Sequence, residues 1–289
     1  MTPRVSVVIP SRNNGKTIYD AIFSIQHQTI ENIEIIVVDD NSDDNTAEIV
    51  QHMAVSDNRI RYFKLYPGHP SFNSKKYIGK DNVDAGYSAL QFGWQQTRAD
   101  WVTRQDGDDV SFLNRLEIQL DLTHDFNVGH LTTSCIWFQE KYKNKKLDFS
   151  SFSREFRYKD SVMTSQDIYS LAKGARGVLA DLPDSIFSSI PFFVKRRKYI
   201  HRLFYRDLVS YPGAANSPMM KREYVLKAPA RKLNTRRWPS LRGRGSDRDQ
   251  NFNIAYSFKD SLFVDVPLYA WRTPTAFSDP YGIERYLID

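Results

Sequence analysis

The sequence predicts an α/β fold, with a mostly parallel central sheet flanked by helices. Three observations predict it. Short apolar, β-branched runs such as "VSVVIP" (5–10) and "IEIIVVDD" (33–40) alternate with amphipathic stretches. The connections between them are short, which makes a helix-covered parallel sheet the economical arrangement. Polar clusters fall repeatedly at the carboxyl ends of the strands, where open α/β sheets bind ligands.

Each element follows from local pattern. "VSVVIP" is a buried strand ending at proline, and "SRNNGKT" is the loop after it. "IYDAIFSIQHQ" (18–28) sets Ile18, Ile22 and Ile25 at helical spacing. "IEIIVVDD" is a second buried strand. "NSDDNTAEIVQHMA" (41–54) opens with cap-forming residues and continues as a helix. "IRYFKL" (60–65) is a third strand, "AGYSALQFGWQQT" (85–97) a helix and "DWVTRQ" (100–105) a fourth strand. Beyond it come a helix in "SFLNRLEIQLDL", a strand near the sheet centre in "HLTTSCIWFQE", a strand running into a short helix in "SPMMKREYVLKA", a helix in "DRDQNFNIAYSF" and a late strand in "SLFVDVPLYAWR". Residues 141–210 carry no sustained period. No internal repeat or low-complexity tract is present.

Composition narrows the class. With 289 residues, 41% hydrophobic and 26% charged, the chain can bury a large core and is not disordered. No run approaches the roughly 18 apolar residues of a membrane span. The N-terminal apolar run is strand-sized, shorter than a signal-peptide core. The single Cys135 forms no internal disulfide, and its setting in "SCIWF" reads as core filler; a cytoplasmic protein is expected. The net charge of +6 is uneven. Residues 195–248 hold 16 Lys/Arg against Asp207, Glu223 and Asp247, a local +13 that leaves −7 elsewhere. Such a segment implies an anionic partner.

The stretch "RQDGDDV" (104–110) crowds Asp106, Asp108 and Asp109 around Gly107. Like charges so close repel unless a cation shares the space. Two readings stay open: a solvated turn, or the grip on a hard divalent cation such as Mg²⁺ or Mn²⁺, which takes carboxylate oxygens together with phosphate oxygens. Asp39 and Asp40 have the same ambiguity at the second strand tip. Asp43 and Asp44 read as helix-capping and first-turn acids.

"VSVVIPSRNNGKTIYDAIFSIQHQTIENIEIIVVDDNSDDNT" resembles the start of an inverting family 2 glycosyltransferase with the GT-A fold, a Rossmann-like nucleotide-binding half fused to an acceptor-binding half. "TRADWVTRQDGDDV" resembles that family's DxD strand. "SPMMKREYVLKA" and "GSDRDQNFNIAY" resemble its acceptor-side strand and the segment carrying its base. The similarity covers about residues 4–120 closely and 211–275 in patches, and is absent over about 140–210. It implies one domain over 1–289, with a nucleotide-sugar half (1–110) and an acceptor half (111–289) that carries a variable insertion near 140–210. It implies that Pro10, Ser11 and Arg12 line the nucleotide pocket, that Asp40 faces the base, usually uracil, and that Asp106 with Gly107 approaches the ribose. Asp108, with Asp106, would hold Mn²⁺ or Mg²⁺, while Asp109 starts the following loop. Asp247 would be the general base; an N-cap or first-turn role is compatible with it, and Asp249 is second choice. The donor would be a nucleoside-diphosphate sugar, UDP-linked by expectation, and the acceptor a glycan or lipid-linked saccharide.

The chain departs from the family in places. Leu90 stands where members often carry an arginine, so Lys76 or Lys80 is the expected substitute contact. Ala215 replaces a common histidine, and the "QxxRW" of processive synthases is absent after residue 250. Arg272, in "AWRTPTAFSD", is a weaker candidate for the diphosphate. The basic segment has two parts. "FFVKRRKYIHRLFYRD" (192–207) reads either as a solvated basic surface or as a helix on anionic membrane, peripheral to its inner face. "RKLNTRRWPSLRGRG" (231–245) reads as a lid over the diphosphate. His201 is expected at the surface, and Trp238 and Trp271 in the core rather than stacked on sugar. Two rivals remain. A nucleotidyltransferase would need a Gly- and Arg/Lys-rich loop after the first strand, and "PSRNNGKT" lacks it. A nonenzymatic nucleic-acid-binding module built on the basic segment would leave the acidic strand tips without a role; nucleic acid is not expected as a partner.

Overall fold

The computed structural model describes residues 2–67, 86–156, 158–207, 209–239, 245–272 and 279–289. Its first half runs β1 (Val5–Ser11), α1 (Ile18–Gln26), β2 (Ile33–Asp39), α2 (Thr46–Ser56), β3 (Ile60–Lys64), α3 (Tyr87–Gln96), β4 (Trp101–Arg104), β5 (Val110–Ser111), α4 (Arg115–Asp125) and β6 (His130–Trp137). Next come β7 (Lys146–Leu147), α5 (Phe149–Phe156), β8 (Val162–Met163), α6 (Ser165–Gly174), α7 (Asp184–Ser189), α8 (Phe192–Lys195) and α9 (His201–Phe204). The chain closes with β9 (Met219–Lys221), α10 (Arg222–Lys227), α11 (Ser246–Phe258), β10 (Ser261–Trp271) and β11 (Leu287–Ile288).

Among the described residues, one sheet has the order β3-β2-β1-β4-β9-β6-β10-β5, with β8 also on β10. β1 pairs in parallel with β2 and β4, and β2 with β3. Short β9 lies antiparallel between β4 and β6, and β6 is parallel to β10. The long strands therefore all point one way, and β1, β2 and β4 deliver their carboxyl ends to one rim. Every residue of β1 and β2 is buried. This is why both read as unbroken apolar runs: helices cover both faces. Val5, Val7 and Ile9 pack with Ile18, Ile22 and Leu116 on one side. Val8, Ile36 and Val38 pack with Leu90, Trp94 and Ile254 on the other. Leu90 is thus core, consistent with its lack of a polar group.

Several expectations need correction. Val110–Ser111 pairs with β10 as β5, so the helix expected from residue 111 starts at Arg115. The stretch 192–207 is not one helix but two single turns, α8 and α9, because Pro191 starts the first and the backbone opens at Arg197. The described residues of 141–210 form two longer helices, α5 and α6, and several single turns, held together by small aromatic clusters. Phe152 and Phe156 stack and meet Tyr281 and Tyr286 edge-on or tilted. A capping box between Thr164 and Asp167 opens α6; the spacing T-x-x-D was its sequence signal. Trp238 is buried and donates Nε1–H to the Ala172 carbonyl, whereas Trp271 is exposed. No described helix is long and apolar enough to cross a membrane.

Candidate active site

The three strand tips meet. Pro10, Ser11, Arg12 and Asn14 after β1, Asp40 after β2, and Arg104, Asp106, Gly107 and Asp108 after β4 line one cleft of about 270 Å³, closed on one side by Gly86. Backbone geometry makes this possible. Asp40 N–H donates to the Ser11 carbonyl at 2.8 Å, fastening the first two tips together. Thr17 Oγ1 donates to the Gly107 carbonyl at 2.9 Å. A side chain at Gly107 would come within 3.0 Å of Asn14 Oδ1 and 3.2 Å of Ser11 Oγ, so the close approach of the two loops needs glycine there. Asp39 is excluded from the cleft: it is buried, accepting from Ser42 N–H and the Tyr62 hydroxyl. Asp44 is not the N-cap of α2, which is Asn45; its Oδ1 accepts from Thr46 N–H at 3.0 Å and its Oδ2 from Gly15 N–H at 2.9 Å, across the loops. Lys76 and Lys80 lie outside the described residues.

The acids differ in their surroundings. Asp106, Asp108 and Asp109 offer oxygens within 4.8 Å of one another. Asp109 is buried with both oxygens engaged: Arg272 N–H donates to Oδ1 at 2.7 Å, and the Tyr269 hydroxyl to Oδ2 at 2.8 Å. Asn216 Nδ2 bridges Asp106 and Asp109 at 2.9 and 3.2 Å. Burial, then the charges of Asp106 and Asp108, push the Asp109 carboxyl well above the usual range. Desolvation and the Asp106 charge also raise Asp108, which stands exposed at the loop apex. Against three carboxylates stand Arg104, whose Nη2 lies 2.6 Å from Asp106, and Arg272, which is shared with Asp20 and Glu140. The three carboxyls gather hard oxygen donors at one point, a donor set that fits a divalent cation.

Arg104, Asn216 and Tyr269 are site residues that sequence reading missed, whereas Asn14 belongs to the polar cluster expected at the first strand tip. Of the three, Arg104 alone carried a signal, in its position beside the acids. Burial would lower its pKa, but the charges of Asp106 and Asp247 outweigh burial and hold it raised. The charge of Asp247 thus reaches Arg104, although Asp247 is not among the residues that line the cleft. It lies in the first turn of α11. Asn251, one turn on, fixes that turn by donating to the Asp247 and Ala215 carbonyls at 2.8 Å each. Asn251 Oδ1 in turn lies 2.7 Å from His130 Nε2, and His130 Nδ1 lies 2.7 Å from Ser261 Oγ. The second-choice base is displaced. Asp249 is fully buried, and its Oδ1 accepts from the Arg237 and Trp238 N–H groups at 2.8 and 2.9 Å. Arg272 sits on the Phe138 ring and the acidic loop, not open in the cleft. Cys135 is pushed up to about 11 by burial, as a thiol without nucleophilic use would be.

Burial holds His130 down to about 4, below its ordinary 6.5, despite the Asn251 bond and the Asp260 charge. The unfolded chain takes up this proton at higher pH than the folded one. The neutral ring's contribution is thus complete above pH 6.5 and is lost as pH falls toward 4, by about 3 kcal/mol. Urea unfolding at pH 7 and pH 4.5 should show this loss. In His130→Gln the fall across the same window should shrink.

Residues 6–66 match the Glycosyl transferase family 2 profile. A Campylobacter jejuni protein named GalNAc(5)-diNAcBac-PP-undecaprenol beta-1,3-glucosyltransferase is 28% identical over 237 residues, 74% of this chain and 70% of that protein. TarS of S. aureus, solved in complex with UDP-GlcNAc, superposes with a TM-score of 0.52 at 15% identity, covering 95% of this chain and 60% of that one. A mannosyltransferase from Pyrobaculum calidifontis, in complex with GDP-Man and Mn²⁺, gives 0.52 at 15% identity, over 97% of this chain and 59% of that one. The chain thus spans about six-tenths of the length of these solved structures, and at that identity they speak for the fold alone. With the profile matched over residues 6–66, the glycosyltransferase relatives and a parallel sheet whose strand tips share one acidic cleft, the chain is similar to glycosyltransferases of family 2 and has the GT-A fold.

Proposed function

We propose that the protein transfers a sugar from a nucleoside-diphosphate donor, UDP-linked by preference, to a hydroxyl of a glycan or lipid-linked saccharide, with inversion at the anomeric carbon. The observation that carries this is the cleft shared by Asp40 and Asp108. Pro10, Ser11 and Arg12 line the nucleotide pocket, Asp40 accepts from the base, and Asp106 with Gly107 lies against the ribose. Lys80, outside the described residues, is assigned to the diphosphate. Asp106 and Asp108 would hold Mn²⁺ or Mg²⁺, which when bound neutralises the charge gathering on the departing diphosphate. Asp109 keeps the loop in shape from below, both of its oxygens being committed.

Asp247 takes the acceptor's proton as its oxygen bonds to the anomeric carbon and the bond to the diphosphate breaks. A single displacement with one base on the acceptor side inverts the centre. In this reading residues 1–110 serve the donor and residues 111–289 the acceptor. The free thiol of Cys135 suits a cytoplasmic setting. The names of the relatives support the ligand classes: one carries an undecaprenol-linked saccharide, another binds UDP-GlcNAc.

A panel of nucleotides and nucleotide sugars, with and without Mn²⁺, tests the donor assignment by thermal shift. A donor at one hundred times its Kd adds about 2.7 kcal/mol to the folded state, so melting should rise by roughly 5 °C, and only with metal. No shift from any nucleotide sugar would remove the reading.

A further inference from the structure

The basic, aromatic stretch around residues 176–207 has a construction the proposed chemistry does not use. Phe187, Phe192, Phe204 and Tyr205 form a small core of their own, distinct from those on the sheet. Lys195 staples it from inside, donating to the Phe187 and Asn234 carbonyls at 2.6 and 2.5 Å. Outside this core the apolar residues face water. Of the eleven large hydrophobics exposed among the described residues, five lie between 178 and 203: Val178 (78%), Ile186 (50%), Phe193 (67%), Tyr199 (90%) and Leu203 (44%). Scattered single exposures are ordinary, but such a concentration in so short a segment is not.

Geometry brings some of them together. Leu179 N–H donates to the Leu203 carbonyl at 2.7 Å, and Gly177 N–H to the Phe204 carbonyl at 3.2 Å, which seats Val178 beside Leu203. Tyr199 lies in the turn leading into α9, which carries Leu203. Interleaved with them are the exposed cations Arg196, Arg197, Lys198, Arg202 and Arg206. The acids of this unit are mostly occupied: Asp181 pairs with Arg176 and Asp184 with Arg237. The surface is cationic and apolar at once.

We propose that this unit, residues 176–207, docks the protein on an anionic lipid bilayer. Cations at headgroup level and aromatic or aliphatic side chains at the acyl boundary are what such a surface offers. A nucleic-acid partner would use the cations but leave Val178 and Leu203 without a role. The dock is wired to the acceptor side. Arg237 bonds Asp184 and the Leu182 carbonyl at 2.7 and 2.8 Å, and its own N–H holds Asp249, two residues from Asp247. Presentation of a lipid-linked acceptor to Asp247 is the use of this dock, and that use rests on the proposed transfer reaction; the docking itself does not.

The test is co-sedimentation of the full chain with vesicles of phosphatidylcholine alone or mixed equally with phosphatidylglycerol, without donor or acceptor. Binding to the mixed vesicles is expected. Arg196→Glu/Arg197→Glu/Lys198→Glu should weaken it roughly a hundred-fold or more. Phe193→Ser/Tyr199→Ser should weaken it roughly ten-fold. All five positions are exposed, so melting should be unchanged, and a nucleotide-sugar melting shift kept by the charge variant reports separately on the donor site. Wild type that ignores anionic vesicles, variants that bind as well as wild type, or steeply salt-dependent RNA binding without vesicle binding would each overturn the proposal.

Discussion

Asp108→Ala should leave a folded protein that has lost metal-dependent transfer. Asp108 stands exposed at the apex of the acidic loop, while the shape of the loop depends on Asp106 and Asp109 through Arg104, Asn216, Tyr269 and Arg272. Surface changes away from such contacts stay within about 0.5 kcal/mol of wild-type stability. Removing one of three crowded charges even relieves repulsion. What disappears is an oxygen donor to a hard cation, and with it several kcal/mol of stabilisation for the leaving diphosphate, on the order of a thousand-fold in rate. The Mn²⁺-dependent part of the donor's melting shift should vanish in parallel. Wild-type transfer that runs at full rate in EDTA would end the metal assignment.

Asp247→Asn separates binding from chemistry. The amide keeps the size of the side chain but cannot take the acceptor proton, so kcat should fall by roughly 10²–10⁴. Asp247 lies in the first turn of α11 and is not among the residues lining the cleft, so the donor's melting shift should persist. The Asn251 anchor grips the Asp247 carbonyl rather than its side chain, so the turn should hold. Unchanged turnover would remove the base assignment. Asp249 could not then inherit the role, because it is fully buried, with Oδ1 bracing the Arg237–Trp238 backbone and Oδ2 3.2 Å from Arg231 Nε.

The first half of the fold was legible because it is local. β1 and β2 are buried on both faces, so their residues are continuously apolar, and α1 shows a clear stripe. The acids at the strand tips were legible for the same reason. Residues 141–210 were not, because most of their elements are short and their cores draw on aromatic residues far apart in sequence, as when Phe152 meets Tyr286.

The amino-acid order by itself determined the alternation of strands and helices, and therefore which tips share a rim. Choosing among the acids on that rim belonged to the tertiary structure. Asn216 reaches Asp106 across 110 residues and Tyr269 reaches Asp109 across 160, and such contacts leave no period in the chain. Three carboxylates identical on paper thus became one exposed, one bridged and one buried. Local spacing fixes backbone conformation, but what surrounds a charge is fixed only when distant segments close over it.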